Sequence, residues 1–187
     1  MSTLTSLPNL LTLARIILIP IFVIVFYLPF DSAHFIAACI FTAACITDML
    51  DGFLARKLKM ISPFGAFLDP VADKLIVSTS LLLLVGGTDI NYITIPAIVI
   101  VGREIVISAL REWMAEIGSR ASVTVDYVGK VKTVLQMFAL GLLLAFNPNF
   151  SWWGVLGFIL LYVSAILTIW SMVIYMSIAW PQLMKKN

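Results

Sequence analysis

Six runs of predominantly apolar residues divide the chain: Asn9–Phe30, Ala33–Ala55, Pro63–Gly86, Tyr92–Trp113, Lys130–Phe146 and Trp152–Trp180. Each approaches the roughly 20 residues a helix needs to cross the hydrocarbon core of a bilayer. Strict period-two alternation is absent, so the runs read as helices, whose backbone satisfies its own hydrogen bonds in lipid. The pattern predicts an all-α integral membrane protein with six transmembrane helices. Met1–Arg15 is mildly amphipathic and is expected to lie as a short interfacial segment before the first span. A length of 187 residues leaves room for one domain, residues 1–187, and for no separate soluble module.

Composition agrees with the pattern. Hydrophobic residues make up 61% of the chain and charged residues 12%, with a mean hydropathy of +1.07. A soluble domain carries about a quarter charged residues. The net charge of +2 matters less than where the charges sit. The connections after the first, third and fifth runs hold no Lys or Arg. Arg56, Lys57 and Lys59 follow the second run, Arg120 follows the fourth, and Lys185 and Lys186 close the chain. By the positive-inside rule, both termini and the basic connections face the cytoplasm. Trp152–Trp153 then forms part of an aromatic belt at the opposite face. Cys39 and Cys45 have the spacing of small helix residues, not of a redox or zinc pair, and His34 reads as an interfacial loop residue. No cleavable signal peptide stands out at the first run.

Against this background the stretch TDMLDGFLARKLKMISPFGAFLDPVADK, Thr47 to Lys74, is anomalous. Asp48 and Asp51 end the second run at i, i+3 spacing; Asp69 and Asp73 open the third at i, i+4. Each pair shares a helix face, and a short link joins the two helices, so the four carboxylates are expected to converge just inside one boundary. One charge near the bilayer centre costs about 2.5–3.5 kcal/mol on insertion scales. Four together require compensation. Carboxylate oxygens suit Mg²⁺, Mn²⁺ or Ca²⁺, whereas zinc prefers His and Cys. Four carboxylates can hold two such ions, an arrangement used for phosphoryl chemistry. Gly52, Ala55 and Gly65 keep the adjoining surface open to a phosphate or nucleotide, and Arg56 and Lys57 can meet its oxygens. Pro70 removes one backbone N–H beside Asp69. The competing readings are basic residues that only set topology, and a cation channel with an acidic ring.

The full pattern Asp48-x2-Asp51-Gly52-x2-Ala55-Arg56-x8-Gly65-x3-Asp69-x3-Asp73 resembles the signature of the CDP-alcohol phosphotransferase family, without departure. The stretches Pro8–Arg15, Gly102–Trp113 and Gly129–Met137 are similar to the branch of that family that makes phosphatidylglycerophosphate in bacteria. The resemblance covers nearly the whole chain. It implies a six-helix fold in the inner membrane, usually a homodimer, with CDP-diacylglycerol as donor, sn-glycerol 3-phosphate as acceptor and CMP as leaving product. Phosphatidylglycerol or inositol phosphate are the alternative acceptors.

The resemblance also distributes roles. Asp48, Asp51, Asp69 and Asp73 are expected to bind Mg²⁺ or Mn²⁺, with Asp73 also the general base. Gly52, Ala55, Arg56 and Gly65, with Asn9 and Thr12, are expected to border the donor nucleotide; Asn9 reads equally well as a helix cap. An acceptor phosphate needs its own cations. Arg103 and Arg111 lie ~80° apart around one helix, and Lys130 and Lys132 open the next. These four, with Arg15, are the expected acceptor-phosphate residues. The bland alternative is that Arg103 pairs with Glu104 only to be tolerated in lipid. Glu112 and Glu116 read as surface residues.

Overall fold

The computed structural model describes residues 7–58, 63–116 and 127–183. They form six helices: α1 (Leu7–Phe26), α2 (Ala33–Leu58), α3 (Pro63–Gly87), α4 (Thr94–Glu116), α5 (Tyr127–Ala145) and α6 (Trp152–Leu183). No strand occurs among the described residues. The boundaries follow local chemistry. The carbonyl of Ser32 accepts the Ile36 N–H at 2.9 Å, and that of Ser151 accepts the Val155 N–H at 3.1 Å; each serine stands immediately before its helix, in the N-cap position. Pro63 opens α3, where its missing N–H leaves no intrahelical bond unmade. Helix α3 continues through Pro70, beside Asp69.

Two boundaries differ from expectation. The first apolar run ends as helix at Phe26, because Tyr27–Phe30 turn back through Tyr27 N–H to Ile24 O and Leu28 N–H to Val25 O. Leu7–Arg15 belongs to the continuous α1 and is not a separate interfacial segment; residues 1–6 lie outside the described set. His34 sits in the first turn of α2, edge-on to Phe26 with ring centroids 4.7 Å apart, so it packs and is not a loop residue.

The packing order closes on itself. Helix α1 contacts α2 and α3, α2 contacts α5, α5 contacts α6, α6 contacts α4, and α4 returns to α3; α3 also touches α5. The interior is built from Phe22, Phe41, Leu81, Leu84, Ile100, Leu140 and Leu161, with Ala37, Ala44, Ala97 and Ala139 letting helices approach. Gly157 brings α6 close to α5: a Cβ there would lie 2.9 Å from Leu142 Cβ and 3.1 Å from Ala139 O.

Polarity is distributed opposite to that of a water-soluble bundle. Leu10, Ile24, Leu82, Ile98, Ile105, Ile166 and Trp170 point outward, while Thr12, Arg15, Ser80, Lys132, Gln136, Ser164, Thr168 and Ser171 are buried. A contiguous apolar exterior of this kind marks a surface meant for lipid or another protein. Within the described residues Trp152–Ser177 is one apolar stretch long enough to cross a membrane; Leu10–Phe26, Ala33–Asp48 and Val131–Ala145 are shorter apolar stretches. The shortening falls where the charges are: Asp48 ends one stretch and Lys132 lies at the start of another.

Candidate active site

Helix α1 organises the carboxylates. Thr12 and Arg15 stand one turn apart on α1 and are buried. The Thr12 hydroxyl donates to Asp69 Oδ1 at 2.5 Å. Arg15 Nη1 donates to Asp48 Oδ1 at 2.9 Å and to Asp73 Oδ1 at 2.7 Å. A single guanidinium nitrogen thus joins α1 to carboxylates on both α2 and α3. The side chain of Arg15 is 1% exposed, against 28% for Asp48 and 40% for Asp73. The cation lies at the back of the cluster and the carboxylates toward its opening.

Helix α3 links this cluster to a second one. Asp73 faces α1, while its neighbour Lys74 donates to Ser108 Oγ on α4 at 2.5 Å. The Ser108 hydroxyl donates in turn to the Glu104 carbonyl. Among the described residues two cations share the Glu104 carboxylate. Arg103 Nη1 is bonded to Glu104 Oε1, and Lys132 Nζ lies 3.9 Å from the same oxygen. Arg111 lies about two turns further along α4. It donates to Tyr175 OH at 3.2 Å and stacks over that ring at 5.4 Å. Arg103 Nε and Lys132 Nζ are buried without a hydrogen-bond partner among the described residues. Buried donors are normally satisfied, so an orphaned pair of cationic ones is suited to an anion.

This pairing of a carboxylate cluster with a cationic one, on a six-helix frame, is what the signature implies. A family model for CDP-alcohol phosphatidyltransferase matches residues 5–170. The chain belongs to that family. Among curated relatives, the chain is 50% identical to a protein of Pseudomonas fluorescens over 95% of this chain and 92% of the relative. It is 54% identical to one of Haemophilus influenzae over 93% of each. It is 53% identical to one of Salmonella typhimurium over 93% of this chain and 94% of the relative. All three bear the name CDP-diacylglycerol–glycerol-3-phosphate 3-phosphatidyltransferase. The family is membrane-associated and generally depends on a divalent metal.

Several expected family residues meet in the structure. Thr12, Arg15, Asp48, Asp69 and Asp73 come together through three helices, and Arg103 joins Lys132 beside Glu104. Gly65 is buried near the start of α3. Among the described residues Arg15 pairs with Asp48 and Asp73. Asn9, Asp51, Gly52, Ala55, Arg56 and Lys130 lie on helix backbone, but their side chains fall outside the described set, and Arg120 lies wholly outside it. The Arg103–Glu104 pair does form, and Lys132 Nζ lies within ion-pair distance of the same carboxylate, while Arg103 Nε and Lys132 Nζ have no hydrogen-bond partner among the described residues.

The donor set fits a hard divalent cation. Asp48, Asp69 and Asp73 offer carboxylate oxygens, partly exposed at one opening, with a buried cation fixing two of them. No group of three metal-binding side chains among the described residues is close enough to cage an ion without others. Asp51, the fourth member, lies outside that comparison.

Proposed function

We propose that the protein transfers the phosphatidyl group of CDP-diacylglycerol to sn-glycerol 3-phosphate, giving phosphatidylglycerophosphate and CMP. The observation that carries this reading is the pair of cations Arg103 and Lys132 around the one carboxylate of Glu104, linked to the aspartates along α3 by Lys74, the neighbour of Asp73. A neutral acceptor alcohol has no use for two largely buried cations sharing one carboxylate, whereas a phosphate-bearing acceptor does. The names of the relatives support the same substrates.

Asp48, Asp51, Asp69 and Asp73 are the residues to hold Mg²⁺ or Mn²⁺, two ions in this reading. A bound divalent ion would offset phosphate charge as the pyrophosphate bond breaks. The chain's own groups do the rest. Asp73 accepts the proton of the attacking glycerol hydroxyl. That oxygen bonds to the phosphorus carrying diacylglycerol, and the bond from this phosphorus to the CMP oxygen breaks. Arg15 holds Asp48 and Asp73 in fixed relation, a positioning role that its contacts support better than acceptor binding. Gly52, Ala55, Arg56 and Gly65, with Asn9 and Thr12, border the nucleotide. Arg103, Arg111, Lys130 and Lys132 hold the acceptor phosphate.

In the same reading residues 1–187 form one catalytic unit with six spans in the bacterial inner membrane, working as a homodimer. Both termini and the site face the cytoplasm. The outward apolar faces and the basic connections support that topology. The test is CMP release by purified protein in lipid–detergent micelles. CDP-diacylglycerol is supplied with glycerol 3-phosphate, phosphatidylglycerol or inositol phosphate, each with Mg²⁺ or Mn²⁺ and with chelator. Metal-dependent release with glycerol 3-phosphate is expected; release with another acceptor alone overturns the assignment.

A further inference from the structure

Three buried side-chain atoms outside the carboxylate cluster have no hydrogen-bond partner among the described residues: Arg103 Nε, Lys132 Nζ and Thr168 Oγ1. The first two belong to the cationic cluster. Thr168 lies on α6 in a run that reads from sequence as membrane span, and its side chain is fully buried. Helix α6 packs against α4 and α5, and two registers give its level.

Against α5 the packing is antiparallel across a short turn. Gly157 sits against Ala139, Leu142 and Leu143. About three turns onward from Gly157 stands Thr168, and about three turns back from Leu142 stands Lys132. Against α4 the packing is parallel. Tyr162 OH donates to the Tyr92 carbonyl near one end, and Arg111 meets Tyr175 near the other. About two turns before Tyr175 is Thr168, and about two turns before Arg111 is Glu104. The α5 register brings Thr168 to the level of Lys132; along α4 the contact at Tyr175 brings it to the level of Glu104, and the contact at Tyr162 to a level about one and a half turns before Glu104.

Its neighbours on the same face are spent. The Ser164 hydroxyl donates to the Leu161 carbonyl and the Ser171 hydroxyl to the Thr168 carbonyl. Thr168 alone of the three keeps its hydroxyl uncommitted. We propose that the Thr168 hydroxyl is a phosphate ligand of the acceptor site, donating a hydrogen bond to the anion held by Arg103 and Lys132. The proposal rests on the acceptor reading above and adds to it a neutral donor on α6, closing the site from a third helix. A hydroxyl beside two cations grips an oxyanion without adding charge that would have to be buried when the product leaves.

The experiment compares full-length Thr168→Val, Thr168→Ser and Thr168→Ala with wild type in lipid–detergent micelles. It uses two readouts: KM for each substrate, and stabilisation against heat by inorganic phosphate. Ser80→Ala is the control, because it removes a buried α3 hydroxyl bonded to its own Ile76 carbonyl. Thr168→Val is expected to raise KM for glycerol 3-phosphate and the phosphate midpoint about tenfold. KM for CDP-diacylglycerol should stay within about twofold, and Thr168→Ser should recover most of the loss. Should the valine variant not fold, the serine and alanine variants differ only in the hydroxyl and decide the same question. Unchanged phosphate midpoints, or equal values for serine and alanine, overturn the proposal. If wild type instead works only with another acceptor, the assigned reaction falls, and the phosphate titration still decides Thr168.

Discussion

A buried arginine needs its charge answered, and among the described residues Asp48 and Asp73 both answer Arg15 through one nitrogen. The arrangement works in both directions: without the guanidinium, two carboxylates on different helices would face each other at short range. Breaking a fully buried pair costs about 3–5 kcal/mol. The partial exposure of both aspartates places the cost here below that range. Arg15→Gln is therefore expected to lower the unfolding midpoint in micelles and to depress kcat, leaving KM for glycerol 3-phosphate within about twofold. A rise in that KM with stability unchanged would return Arg15 to the acceptor site. The carboxylates themselves were readable from sequence, because i, i+3 and i, i+4 spacing survives any packing and four acids in an apolar chain have few uses. The partner of Arg15 was not. An arginine near a phosphate-transfer motif reads as a phosphate ligand, and only the approach of α1 to both α2 and α3 gives it carboxylates instead. Thr168 was invisible for the opposite reason: a threonine within an apolar run looks like helix packing until its neighbours' hydroxyls are accounted for.

At the scale of elements, close approaches hold the two clusters in register. The turn between α5 and α6 folds over the first turn of α6. Phe150 N–H and Ser151 N–H both donate to the Asn147 carbonyl, and Asn149 reaches across to the Asp89 carbonyl at 3.1 Å. Gly154 lies beneath this turn. A Cβ there would meet Pro148 N at 2.5 Å and Phe146 O at 2.6 Å, both backbone atoms with little room to yield. Alanine ordinarily favours a helix over glycine by up to about 1 kcal/mol. Overpacking costs about 1–3 kcal/mol, so the clash wins. Gly154→Ala should destabilise by about 1–2 kcal/mol in chemical denaturation. Gly86→Ala, on the exposed side of α3 with nothing within 4 Å, should be neutral or mildly stabilising. Equal effects at the two positions would show that the turn does not press on α6. Six helices and their approximate limits followed from the apolar runs, since hydrophobicity is an averaged property. The end of α1 at Phe26 did not follow from apolarity, since Tyr27–Phe30 are as apolar as the helix before them; its signal is Pro29, which disfavours helical backbone at Leu28 and has no N–H to continue the helix.

For the whole molecule the decisive property is sidedness. Lys59, Arg120, Lys185 and Lys186 fall in connections or the tail on one side of the proposed topology, and Lys57 in the last turn of α2 on that side, whereas the opposite connections carry Asp31 and Asp89 and no basic residue. The aspartates and Arg111 lie toward the basic side of their helices. Trp152 and Phe150, both strongly exposed, lie at the other end of α6. Charge bias of this kind sets orientation during insertion. Glycerol 3-phosphate is doubly charged near neutral pH and does not cross a sealed bilayer on its own. Membrane vesicles of defined orientation therefore read out where the acceptor site opens. Inverted vesicles, which expose the cytoplasmic face, should release CMP when glycerol 3-phosphate is added outside. Sealed right-side-out vesicles should release little until a detergent opens them. Equal release from both sealed preparations would mean that the acceptor reaches the cationic cluster from either face. The positive-inside topology would then fail even with the chemistry intact. Release confined to right-side-out vesicles would invert the chain in the membrane, and the basic connections would need another explanation.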